Sequence, residues 1–244
     1  APVGFCSAAV LPSGTVRHDS LRTEAAIPTV EPYSALGYQY ANMDAGATIV
    51  PSMLNVTGND AIVDWVVVEL RSRTSPYAVL FSRPALLQRD GDVVDLDGDA
   101  NVNFPQAGVG NYRVALRHRN HFGLMTSSSP GLNADGWSVD FRSSSTGCYG
   151  TEPRVQVGTA YCLWSGDANG DGVLKYTGAS NDRDPILTAI SGTTPNNTLG
   201  PVYDRRDTNL DGVIKYTGAG NDRDIILTNV GSTTPNNTRT QQLP

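Results

Sequence analysis

The sequence predicts a mainly β chain. An antiparallel β-sandwich is expected over residues 1–147, and a linker with a small module of two loop–helix repeats (167–199 and 207–239) over residues 148–244. Three observations lead there. Short β-branched and aromatic runs, punctuated by Gly, Pro, Asn and Asp, fill the first part. Glutamate occurs only at Glu24, Glu31, Glu69 and Glu152 and lysine only at Lys175 and Lys215, so little of the chain reads as charged surface helix. Finally, "DANGDGVLKYTGASNDRDPILTAISGTTPNNT" from Asp167 returns from Asp207, forty residues later, with roughly two-thirds of positions matching.

The expected strands are "ATIVPSMLNV", "AIVDWVVVELRS", "YAVLFSR", "NYRVALRHR", "HFGLM" and "GWSVDF". The second is nearly continuously apolar around Val66–Val68, which marks a central strand. In the fourth, Tyr112, Val114 and Leu116 are expected on one face and Arg113, Arg117 and Arg119 mostly on the other. Runs of this kind separated by turn residues suit a sandwich. Two repeats are too few for a solenoid and read as a pair burying one shared core.

Composition narrows the function. The chain has 244 residues and a net charge of -6, which argues against a nucleic-acid partner. No apolar run approaches the ~18 residues of a membrane span. No leader pattern is visible, and Ala1-Pro2 reads as a processed start. Of the three cysteines, Cys148 and Cys162 close a short loop and are the preferred disulfide, leaving Cys6 over; three buried thiols are the alternative.

The repeats carry the chemistry. Calcium takes six to eight oxygens, with side chains from loop positions 1, 3 and 5, a glycine at 6 for the turn and a carbonyl at 7. Asp167, Asn169, Asp171, Gly172 and Val173 match that order, as do Asp207, Asn209, Asp211, Gly212 and Val213. Leu174 and Ile214, next in line, are expected to point inward and pair the loops. The closing acid is missing at position 12, where Gly178 and Gly218 stand. It is expected instead from the first turn of the following helix, as Asp182 and Asp222, with Asp184 and Asp224 as competitors. Asn181 or Asp182 would cap the first helix, and Pro185 fits its first turn. Two calcium ions are therefore expected, one per repeat.

These tandem D-x-N-x-D-G-x-[LI] loops, each followed by a helix, resemble the calcium loops of dockerin modules. The insertion before the last acid departs from that family and rebuilds the region dockerins use to grip cohesins. Over most of its length ("IVDWVVVELR", "ALLQRDGDVVDLDG", "GNYRVALRHRNHFGLM", "WSGDANGDGVLKYTG", "NDRDIIL") the chain resembles C-terminal parts of large secreted Bacteroidota surface proteins, hemagglutinin-like and associated with type IX secretion. The resemblance implies an extracellular or cell-surface location.

Other candidates are weaker in pattern. Asp95, Asp97 and Asp99 alternate and form a candidate third calcium site, an acidic hairpin turn being the alternative. His18, His118 and His121 are expected at the surface or in packing. Ser20, in Asp19-Ser20-Leu21, matches a short O-glycosylation motif of Bacteroidota. No G-x-S-x-G or H-E-x-x-H occurs, and no enzymatic activity is expected. The expected function is a calcium-stabilised structural protein that self-associates into a surface layer or filament through its N-terminal segment. The alternative is an adhesin holding a glycan or surface protein on the sandwich loops.

Overall fold

The computed structural model describes residues 3–4, 19–42, 45–133 and 137–244. Cys6, His18 and most of the N-terminal segment proposed for assembly lie outside the described residues. The first part contains β1 (Val3–Gly4), α1 (Ser20–Thr23), β2 (Ile62–Arg71), β3 (Val79–Gln88), β4 (Val93–Val94), β5 (Gly110–Asn111), β6 (Arg113–Arg117), β7 (Leu124–Met125), β8 (Gly131–Leu132) and β9 (Val139–Asp140). Then come β10 (Val155–Val157), β11 (Ala160–Cys162), β12 (Val173–Lys175), α2 (Arg183–Ala189), β13 (Thr198–Leu199), β14 (Ile214–Lys215), α3 (Asp222–Val230) and β15 (Thr238–Thr240).

The chain is mainly β, and its largest sheet is antiparallel. One five-stranded sheet runs in the order β4-β3-β2-β6-β7, with β2 central and buried along its whole length. Side chains alternate across a strand, so β2 feeds two cores. Val66, Val68 and Leu70 meet Leu116, Phe141 and Leu163 on one side. Trp65 and Val67 meet Leu21, Ile49 and Leu86 on the other. The expected second large sheet is not formed among the described residues: the remaining strands make two-stranded ribbons. Short elements and irregular chain, Leu21 of α1 and Val139 of β9 among them, cover the two apolar faces rather than a facing sheet. "ATIVPSMLNV" is also not a strand. Residues 51–55 form a 3-10 turn with Pro51 at its start, where a missing N–H costs nothing.

The repeats share a third core. Leu174, Ile186, Ile190, Ile214, Ile226 and Val230 pack together, and Phe122 and Trp164 join them from the preceding chain. Leu174 and Ile214 are fully buried, as their loop position predicts. β12 and β14 do not pair with each other. β12 pairs with β15, the tail of the second repeat, and β14 with β13, the tail of the first. The exchange is reciprocal in side chains too: Thr177 Oγ1 bonds Asn236 Oδ1 at 2.7 Å, and Thr217 Oγ1 bonds Asn196 Oδ1 at 2.8 Å. Beyond β15, Leu243 packs on Ala115 and Met125, and Arg71 Nη1 donates to the Pro244 carbonyl at 2.6 Å. The module is thus fastened to the sheet at its end.

Candidate metal centre

In the first loop, Asp167 accepts from the amides of Gly170 (2.8 Å) and Gly172 (3.1 Å). Asn169 Oδ1 accepts from the Asp171 amide and Asp171 Oδ1 from that of Val173, each at 2.8 Å. The second loop repeats the pattern. Asp207 accepts from the amides of Asp211 and Gly212, Asn209 from Asp211, and Asp211 from Val213. Glycine at position 6 is required in both, since Gly172 and Gly212 have φ of 76° and 84°.

The structure separates the two candidate closing acids. Asp182 is fully buried and reaches back into its loop, accepting from the amides of Asn169 (3.2 Å) and Lys175 (2.8 Å). Asp222 does the same with Thr208, Asn209 and Lys215. Asp184 and Asp224 face away, each accepting from the side-chain amide of the capping Asn181 or Asn221. Those asparagines cap the helices by accepting from the amides of Asp184 and Asp224, both at 3.0 Å. The inserted "KYTGAS" therefore delays the helix without moving its first acid away from the loop.

Burial, and then the neighbouring charges of Asp167 and Asp171, push the Asp182 carboxyl up to about 7. Burial, then Asp207, pushes Asp222 to about 8. Burial raises Asp207 to about 7 as well, with the Asp211 charge adding and Arg119 opposing. Such acids repel one another in a poorly solvated place. A hard cation with oxygen ligands offsets both costs, so the residues fit calcium. Among the described residues no three Asp, Glu, His or Cys side chains are drawn together as a closed metal cluster. The carboxylates here turn to backbone amides.

The remaining candidates fall differently. Asp95 is buried and ion-paired to Arg83 at 2.8 Å, and it also accepts from the Leu96 and Asn103 amides. Asp97 and Asp99 each accept from an amide two residues on. These bonds are those of an acidic turn. Cys148 is a free thiol while Cys162 is disulfide-bonded, so the expected Cys148–Cys162 pair is not formed. Their sequence spacing was compatible, but Cys148 sits at a bridge to Thr126 and Cys162 at the end of β11. Ser20 opens α1 and is partly exposed.

A buried polar hub beside the loops escaped the sequence. Asp64, near the start of β2, accepts from Arg119 Nη1 (2.5 Å) and Tyr203 Oη (2.6 Å), and lies 3.0 Å from His118 Nε2. Arg119, expected on an outer face, is 4% exposed. His118 and His121 stack edge to face at 4.5 Å, the packing role expected of them. Next along, Asn120 Nδ2 donates to the carbonyls of Arg205 (3.0 Å) and Asp207 (2.6 Å), and the Asn120 carbonyl accepts from Gly166 and Asp167. The available signal was Asp64 within an apolar central strand, because a buried charge requires a partner. Comparisons of the chain with protein-family models, with curated proteins and with solved structures find no match.

Proposed function

We propose that the chain is an extracellular, calcium-stabilised structural protein that self-assembles into a surface layer or filament, with residues 148–244 acting as a dockerin-like module whose loops are closed by Asp182 and Asp222. The observation that carries this reading is the burial of those two acids against like-charged neighbours, at the same place in two repeats. Asp167, Asn169, Asp171, Asp182 and the Val173 carbonyl would hold one ion; Asp207, Asn209, Asp211, Asp222 and the Val213 carbonyl the other. The bound ion supplies positive charge and nothing catalytic. The disulfide at Cys162 agrees with an oxidising, extracellular setting.

A second reading, an adhesin for a glycan or surface protein, is favoured by a groove of about 600 Å³ on the sheet side. Phe104, Tyr112, Leu132 and Trp137 line it, and aromatic faces of this kind suit a ligand with apolar surface. Electron microscopy with and without calcium, alongside metal analysis, tests the two. Ordered polymers support assembly; dispersed monomers that still bind glycan support the adhesin. A chain that binds no calcium removes the basis of the first reading.

A further inference from the structure

We propose that the two loops are unequal: the second holds an ion that locks the module to the sheet, and the first holds an ion that exchanges without disturbing the sheet. The proposal rests on the calcium reading above. Loop position 4 is Gly170 in the first repeat and Leu210 in the second, and both are left-handed, with φ of 76° and 64°. A non-glycine residue is strained in that conformation. Leu210 is held there because its side chain is buried in the core formed by Leu21, Tyr33, Trp65 and Leu86 on one face of the sheet. Gly170 is exposed, and a side chain added there would collide with the Arg205 guanidinium.

The difference extends around each loop. Asp211 is half-buried where Asp171 is exposed, and Gly212 is buried beside Leu21 where Gly172 is half-buried. The chain entering the second loop is stitched to the sheet residue by residue. Tyr203 Oη donates to Asp64, Arg119 Nε donates to the Asp204 carbonyl at 3.2 Å, and Asn120 Nδ2 holds the carbonyls of Arg205 and Asp207. The first loop meets Asn120 through the amides of Gly166 and Asp167, and its Asn169 and Gly172 carbonyls accept from Arg205 Nη1 (3.2 Å) and the Gln241 amide (2.8 Å), but at position 4 it places no side chain in the sheet's core as Leu210 does. An ion leaving the second loop thus frees three carboxylates beneath Leu210 and strains contacts continuous with β2. An ion leaving the first loop leaves past the exposed Gly170 and Asp171, with no core side chain at position 4 to move. Linkage is reciprocal, so the docked sheet raises the second site's affinity as that ion stabilises docking.

The test uses the full chain, calcium and a graded series of a calcium chelator, with bound metal measured by atomic emission and β2–β3 amides followed by hydrogen exchange. One ion should leave at low chelator with sheet exchange unchanged, and the second only with β2–β3 exchange accelerated about tenfold or more. Asp171→Asn should remove the weak ion alone. Leu210→Gly should keep two ions but make both leave at low chelator, a readout that does not need a destabilised ligand variant to fold. Loss of both ions together, or sheet exchange unchanged when the second ion leaves, overturns the inequality while the calcium reading stands. A wild-type chain with no bound calcium overturns the calcium reading itself.

Discussion

The side-chain amide of Asn120 donates to the main-chain carbonyl of Asp207 at 2.6 Å, so a residue just beyond the end of β6 holds the first residue of the second loop in place. Its main-chain carbonyl accepts from the Asp167 amide at 3.2 Å, so the first residues of both loops meet on one asparagine. Asn120 is almost wholly buried. Replacing it with Ala leaves the carbonyls of Arg205 and Asp207 without that donor, and an unsatisfied buried polar group costs about 1–3 kcal/mol. Asn120→Ala should lower stability by that amount and weaken calcium binding at the second loop more than at the first, whose bond is to a main-chain carbonyl that Ala keeps, read by urea melts and calcium titration. An unchanged urea midpoint would mean that the hub is dispensable.

Asp64 gives a pH signature. Burial alone would raise it, but Arg119 and His118 outweigh burial and hold its carboxyl far below the ordinary 3.8. A depressed acid contributes stability above its unfolded value, and that contribution is lost as pH falls through the folded one. Asp64→Asn leaves the buried Arg119 charge without its partner, and breaking such a pair costs about 3–5 kcal/mol. The gap between wild type and variant should hold steady from pH 5 to 8 and narrow below about pH 4. A gap that widens on acidification would contradict the assignment.

The loop acids work in the opposite direction. Asp182 and Asp222 are raised to about 7 and 8 by burial and by like charge, so without calcium the folded chain binds more protons than the unfolded chain between about pH 4 and 8. Stability of the ion-free module therefore falls as pH rises through that window. A bound cation removes the penalty on the charged form. Calcium should raise the melting temperature more at pH 8 than at pH 5.5, measured by scanning calorimetry against a chelator control. Equal shifts at both pH values would show that these acids do not face the ion.

The exchanged tails make a less obvious prediction. β15 belongs to the second repeat but pairs with β12 of the first. Deleting residues 235–244 should speed hydrogen exchange in the first loop, Asp167 to Asp182, more than in the second. It should also remove the Leu243 contact with Met125. Faster exchange confined to the second loop would show that each repeat is stabilised by its own tail.

Local patterns were legible in the residues themselves. The apolar run of β2, the spacing of Asp, Asn and Gly in the loops, the inward Leu174 and Ile214 and the Asn-capped helices follow from steric and hydrogen-bonding rules that act over a few residues. What covers each face of the sheet was not legible. Irregular chain can bury apolar area as a second sheet does, and no periodicity marks it, so the sandwich expectation became one sheet with ribbons. The cysteine arrangement and the swapped tails also rest on contacts far apart in sequence. The same holds for Arg119, whose alternation pointed outward while a charge more than fifty residues earlier, Asp64, drew it in. The sequence by itself determined two matching loops and a β-rich partner. Tertiary packing decided that Leu210 is buried against the sheet while Gly170 is exposed, and that Asn120 sits between the first residues of both loops, because burial and buried hydrogen bonds depend on which surfaces meet.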